Sequence, residues 1–279
     1  MHYPATGAEH ELAGSGVSRR YAWIVFALTF GLLISDYMSR QVLNAVFPLL
    51  KSEWLLSDAR LGSLSGVVAL MVGLLTFPLS LLADRWGRIR SLTLMAALWS
   101  LATLACALAR NYEQMFIARL CVGIGEAAYD SVGIAVVLSV FPARLRARVT
   151  GAFMAGGMFG SVLGMAAGGV LAQHFGWRWS FAGMALFGLV LAGVYPLVVR
   201  ESRIAPLTGE PSSSASDAVP DKPGHLAGRS PLHTLFATRS VLSAYVGSGL
   251  QLFISGSVLA WIPSYLNRYY DMGADRAGL

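Results

Sequence analysis

Long apolar runs separated by short polar connections set the organisation of the chain. Runs of spanning length fall at about 21–49, 60–83, 91–109, 112–141, 148–173, 178–199 and 240–266. At about 1.5 Å of rise per residue, about 20 such residues cross roughly 30 Å of hydrocarbon, so each run predicts a transmembrane helix and the fold class is an all-α membrane protein. The long connection, 200–239, reads RESRIAPLTGEPSSSASDAVPDKPGHLAGRSPLHTLFATR. It is rich in Pro, Ser and Gly and has no sustained apolar period, as a linker between two bundles would be. The expected organisation is a cytoplasmic tail at 1–20, a six-helix transmembrane bundle at 21–199, a cytoplasmic linker at 200–239, and at 240–279 the first helix of an incomplete C-terminal bundle.

Composition agrees: 55% of the residues are hydrophobic and 13% charged, with mean hydropathy +0.58. A net charge of +6 could point to nucleic acid. Here the basic residues lie between apolar runs instead of on one tract, so topology accounts for them and no nucleic-acid partner is expected. With the N-terminus inside, thirteen Lys and Arg fall on that side and six on the other, while Arg40 and Arg119 lie within spans. That bias predicts a cytoplasmic N-terminus. The first twenty residues lack an apolar core followed by a small-residue cleavage site, so no removable signal peptide is expected. Cys106 and Cys121 lie in apolar runs and read as inert packing residues.

The fourth run, Tyr112 to Phe141, carries Arg119, Glu126 and Asp130 in its interior. Each charge costs at least about 2.5 to 3.5 kcal/mol at bilayer depth, so all three must face protein or water, and each is a functional candidate. A partial repeat is also present. PLLKSEWLLSDARLGSL begins at Pro48 after the first run, and PSYLNRYYDMGADRAGL begins at Pro263 after the seventh. The seventh span therefore reads as the first of a second copy, and the sequence is expected to be incomplete after Leu279.

Between the second and third runs stands Ser80-Leu-Leu-Ala-Asp84-Arg85-Trp-Gly87-Arg88-Ile-Arg90. Gly87 permits a tight reversal, Asp84 can cap or pair, and the arginines suit an anionic membrane surface. A plain stop-transfer cluster would look similar. With the span count, the pattern resembles the signature loop of the major facilitator superfamily, Gly-x-x-x-Asp-Arg-x-Gly-Arg-Arg, with Ser80 in place of the Gly and Ile89 in place of one basic residue. In that family the Asp latches one conformational state; the resemblance implies this role for Asp84, with Arg85, Gly87 and Arg88.

Arg119-Leu-Cys-Val-Gly123-Ile-Gly125-Glu126 is similar to the family's Arg-x-x-x-Gly-x-Gly element. The Gly-Glu-Ala-x-Tyr run resembles the Spinster-like branch, as do Leu56-Ser57-Asp58 with Leu61-Gly62 and Trp261-x-Pro263-x-Tyr265-Leu266 with Arg268. Read as a dinucleotide fingerprint, Gly-x-Gly fails because no strand precedes it. The resemblance implies a proton-linked site containing Arg40, Arg119 and Glu126. Where Spinster-like chains carry Asp-Arg, this one has Ser39-Arg40, and a carboxylate stands one turn earlier at Asp36.

Counting rise along the two helices places Asp36 and Arg119 at nearly equal depth, which predicts an Asp36–Arg119 pair released by proton uptake at Asp36 or Glu126. A permanent structural pair is the alternative. Asp130, one turn on, is expected at the inner vestibule. Gln41, Asn44, Tyr129, Gln251 and Trp261 are cavity candidates, with an interface-belt role equally open for Trp261. Gly156, Gly160, Gly164 and Gly168 form a stripe suited to close helix packing. It also resembles the family's antiporter element, with Met165 in place of a Pro.

The resemblance and the charges imply a secondary transporter in a bacterial plasma membrane, moving a small organic solute, an anion first, by alternating access with proton coupling. A lipid or drug exporter of the same superfamily and a non-transporting half that needs a partner bundle are the alternatives. No cofactor or metal is expected. No HExxH, no suitable GxSxG and no metal-ligand spacing among His2, His10, His174, His225 and His233 supports an enzyme.

Overall fold

The computed structural model describes residues 18–200, 239–270 and 272–273, and most of the expected linker, 201–238, lies outside the described residues. Eight helices occur among them: α1 (Arg19–Trp54), α2 (Asp58–Trp86), α3 (Arg88–Leu108), α4 (Tyr112–Glu126), α5 (Tyr129–Val140), α6 (Ala143–Phe175), α7 (Trp177–Val198) and α8 (Arg239–Tyr270). No strand occurs among the described residues. Seven segments are long and apolar enough to cross a membrane, α4 and α5 together making one of them. The chain is thus an all-α, multi-pass membrane protein.

Most helices extend a few residues beyond their apolar runs, and three of them start at a side-chain cap. Ser18, Ser57 and Asn111 each accept a backbone N–H three residues on, at Tyr21, Arg60 and Gln114. Those bonds satisfy donors that a helix start leaves open. Gly87 joins α2 to α3 at φ +95°, a conformation costly for any residue with a Cβ.

The fourth span departs from the single helix expected over 112–141. It is broken at Ala127–Ala128, between Glu126 and Tyr129. The Thr76 hydroxyl from α2 lies 2.6 Å from the Ala127 carbonyl and 2.5 Å from the Val72 carbonyl of its own helix. A carbonyl released by the break thus has a donor in place, as backbone away from water requires.

The described residues divide into two compact units, one holding 18–200, 263–270 and 272–273, the other 239–262. In the first, α1 packs on α6 and α7, α3 on α4 and α7, and α2 on α4. Small residues allow these approaches. A Cβ on Gly160 would lie 2.9 Å from the Ile34 carbonyl, and one on Gly164 would lie 2.7 Å from Met38 Cα. Gly156 meets Phe30, and Gly168 meets Val42. The whole stripe therefore seats α6 against α1. Gly125 abuts the backbone of Trp99 on α3, and Gly123 abuts Val68 and Met71 on α2.

Unlike a water-soluble domain, this unit presents apolar side chains on its surface as well as in its core, and its largely apolar interior also holds polar and charged groups. Leu70, Leu74, Phe77 and Leu81 on α2, and Leu186, Val190, Val194 and Leu197 on α7, are exposed apolar stripes suited to acyl chains. Thr29, Ser35, Asp36, Ser39, Asn44, Ser100, Thr103, Arg119 and Glu126 are buried within. At the end of α8, Arg268 donates two bonds to Asp58, at 3.0 and 2.5 Å, and Lys51 adds a third at 2.6 Å.

Candidate functional site

Helix α1 places Asp36 and Arg40 one turn apart on one face, and α4 delivers Glu126 to the same point in its last turn. The Arg40 guanidinium meets both carboxylates along one edge. Nη2 lies 3.1 Å from Asp36 Oδ2 and Nε lies 2.9 Å from Glu126 Oε2. The N–H directions are off line for hydrogen bonds, so charge attraction rather than aligned bonding holds these contacts. Both carboxylate side chains are 0% exposed, whereas Arg40 retains 22%. The Tyr37 ring covers another side, its centroid 5.2 Å from Arg40 Cζ.

Two carboxylates therefore share an edge of guanidinium that ordinarily takes one. With both ionised, the trio carries a net negative charge in a buried setting. A proton on either carboxyl would balance the trio and release one N–H of Arg40.

Arg119 does not pair with Asp36, contrary to the depth count. Its guanidinium, 1% exposed, donates to the carbonyls of Ser39 at 3.0 Å, Arg40 at 3.4 Å and Leu64 at 3.4 Å. It makes no ion pair within 4 Å among the described residues. Depth was read to within a turn; direction around the helix axis was not, because rise along a sequence contains no azimuth. Arg119 thus ties α4 to the backbones of α1 and α2. Ser39 stands where a carboxylate was expected and supplies only its carbonyl.

The remaining candidates separate. Asp130 is half-buried in the first turn of α5, beyond the break, where an acidic group suits a helix start. Tyr129 lines no open space: it is fully buried, its hydroxyl donates to the Thr29 carbonyl at 2.5 Å, and its ring meets Trp99 edge-on at 5.0 Å. Gln41 accepts from Asn44 at 2.6 Å, and Asn44 in turn accepts from Ser65 at 3.1 Å, a polar chain one turn from Arg40. Gln251 and Trp261 lie in the other unit. Asp84 and Arg88 pair across Gly87 at 3.3 Å, with Arg85 exposed beside them. Ser80, where a Gly was expected, lies 3.0 Å from the Ser131 hydroxyl of α5.

Tyr37 and Thr76 were not foreseen. Tyr37 carries a weak signal, an amphipathic ring three residues before Arg40 and so on the same helix face. Thr76 carries none, since its role exists only once the fourth span breaks.

Residues 29–279 match the family described as Major Facilitator Superfamily. The chain is 26% identical over 288 residues to the probable L-galactonate transporter of Escherichia coli, covering 99% of this chain and 62% of that protein. It is 28% identical to the gallate transporter of Pseudomonas putida over 91% of this chain and 57% of that protein, and 27% identical to protein spinster homolog 1 of Xenopus laevis over 91% and 47%. The chain thus spans about half to three-fifths of the length of these relatives. Among solved structures, a bacterial homolog of the human lysosomal transporter Spinster superimposes with TM-score 0.75 at 21% identity, over 94% of this chain and 59% of that one. A D-xylose–proton symporter superimposes with TM-score 0.61 at 18% identity, over 94% and 64%. At these identities the structures speak for the fold alone. With the matched region running from α1 to the last residue, the chain belongs to the major facilitator superfamily.

Proposed function

We propose that the protein is a secondary active transporter that moves a small organic anion, with protons as the coupling ion and Arg40 as the group that meets the solute. The observation that carries this reading is the partly exposed guanidinium of Arg40 held between two fully buried carboxylates. When Asp36 or Glu126 takes a proton, it weakens its hold on Arg40, and a carboxylate of the solute takes the vacated N–H. Proton and anion then load together, and the net charge of the site is the same before and after loading. The names of three relatives, which specify L-galactonate, gallate and hexuronate, support a carboxylate solute.

In this reading a second bundle completes the path, and the two rock about the site by alternating access. The Asp84–Arg88 loop latches one of the two states, and Asp130 lines the vestibule. The membrane is a bacterial plasma membrane with the N-terminus in the cytoplasm, supported by the excess of Lys and Arg on that side.

The test is uptake by the full-length protein in proteoliposomes, with a panel of sugar acids and aromatic carboxylates and an imposed pH gradient. The expected result is accumulation of an anionic solute that collapses when the gradient is dissipated. Uptake that ignores the gradient sinks the coupling, and preference for neutral sugars over their acids sinks the role of Arg40.

A further inference from the structure

A second cationic site lies away from Arg40, at the arginine-rich end of the bundle. Arg19, Ala22 and Trp23 of α1, Phe141 after α5, and Arg144, Leu145 and Arg148 of α6 line a cavity of about 410 Å³. Its apolar side is built from rings: Trp23 meets Phe141 edge-on at 5.3 Å and Phe26 at 5.7 Å. Arg146, between the other arginines of α6, instead donates to the Phe141 carbonyl at 3.3 Å and holds the corner in shape.

The charges here run against local rules. A helix start is already the positive end of its dipole and favours acidic neighbours. Yet the first turn of α6 has no acidic residue, its N-cap Pro142 gives no side-chain cap, and arginines follow at 144, 146 and 148. Arg19 and Arg148 make no ion pair within 4 Å among the described residues. The exposed guanidinium groups of Arg19 and Arg148 thus have no carboxylate partner among the described residues, and their planar forks suit phosphate oxygens.

The surroundings indicate where that anion comes from. Trp23 is 47% exposed, one turn into α1, and Ile24 beside it is also exposed. An amphipathic ring at that depth is typical of the headgroup layer, and a basic pocket between spans at one membrane face is the setting in which lipid phosphates are held. We propose that the cavity binds the phosphate of an anionic phospholipid headgroup from the adjacent leaflet, with the rings of Trp23 and Phe141 against its glycerol. The site is independent of Arg40 and of any transported solute.

The full chain in a neutral detergent provides the test, with the thermal unfolding midpoint followed as phosphatidylglycerol, phosphatidylcholine or glycerol 3-phosphate is added. Phosphatidylglycerol is expected to raise the midpoint saturably while the other two leave it in place. R19Q/R148Q removes two of the cationic contacts and is expected to weaken the phosphatidylglycerol titration about 30-fold. R20Q/R85Q, at the same end but outside the cavity, is expected to leave it unchanged. Equal weakening by R20Q/R85Q would reduce the effect to general surface charge, and an equal response to glycerol 3-phosphate would make this a soluble-anion site; either overturns the assignment. Midpoints in phosphatidylcholine report whether each variant folds. If the glutamine pair does not fold, R19K/R148K keeps the charge but loses the forks; several-fold weaker lipid binding is then expected, and unchanged binding overturns the role given to the guanidinium groups.

Discussion

Arg40 Nε lies 2.9 Å from Glu126 Oε2, which joins the first span to the fourth at the last residue before the fourth span breaks. The site and the break are therefore adjacent in sequence as well as in space. Any change in charge at Glu126 acts on a helix end whose next carbonyl is already held from α2 by Thr76.

Replacing Asp36 by Asn or Glu126 by Gln removes one titrating carboxyl without changing its size. Each variant is expected to lose the response of uptake to an inward acid gradient while retaining exchange of solute at equal pH, because the freed N–H of Arg40 no longer waits for a proton. Unchanged proton dependence in both variants would remove the coupling scheme.

Arg119 is read as a brace rather than a solute contact. Arg119→Gln is expected to lower stability by about 2 to 4 kcal/mol, from loss of charge-assisted bonds to three carbonyls. Arg119→Lys is expected to recover little of it, because one ammonium cannot reproduce the fork. Thermal unfolding of the purified variants measures both, and a wild-type midpoint in Arg119→Gln would contradict the brace.

The glycine stripe makes a paired prediction. Gly164→Leu forces side-chain volume against the backbone of Met38 and is expected to cost about 1 to 3 kcal/mol. Gly151→Ala, on the same helix but with nothing within 4 Å of the added carbon, is expected to be neutral or to stabilise by up to about 1 kcal/mol. Equal midpoints for the two variants would show that the stripe is not a tight seam.

Thr76→Val keeps the shape of the side chain and removes its hydroxyl from the Ala127 carbonyl. An unmet carbonyl in the membrane interior is expected to cost about 1 to 3 kcal/mol and to increase protease or hydrogen-exchange sensitivity around residues 126–130. No change in exchange there would mean that the break is held by other contacts.

The sequence by itself determined the all-helical class, the seven spans and the short list of buried charges, because crossing a bilayer demands about 20 apolar residues in a row and makes each charge within them conspicuous. It also determined the turn at Gly87, where the chain needs a residue without a Cβ. Two things were decided only by the tertiary structure. Ala127 and Ala128 are good helix formers, so neither residue marks the break; the carbonyl it frees is met by Thr76, which arrives from another helix. The partner of Asp36 is Arg40, four residues along the same helix, while Arg119 turns to backbone carbonyls. Rise per residue sets depth alone, and which groups meet at a given depth depends on the rotation and tilt of helices, which packing residues such as Gly160 and Gly164 impose.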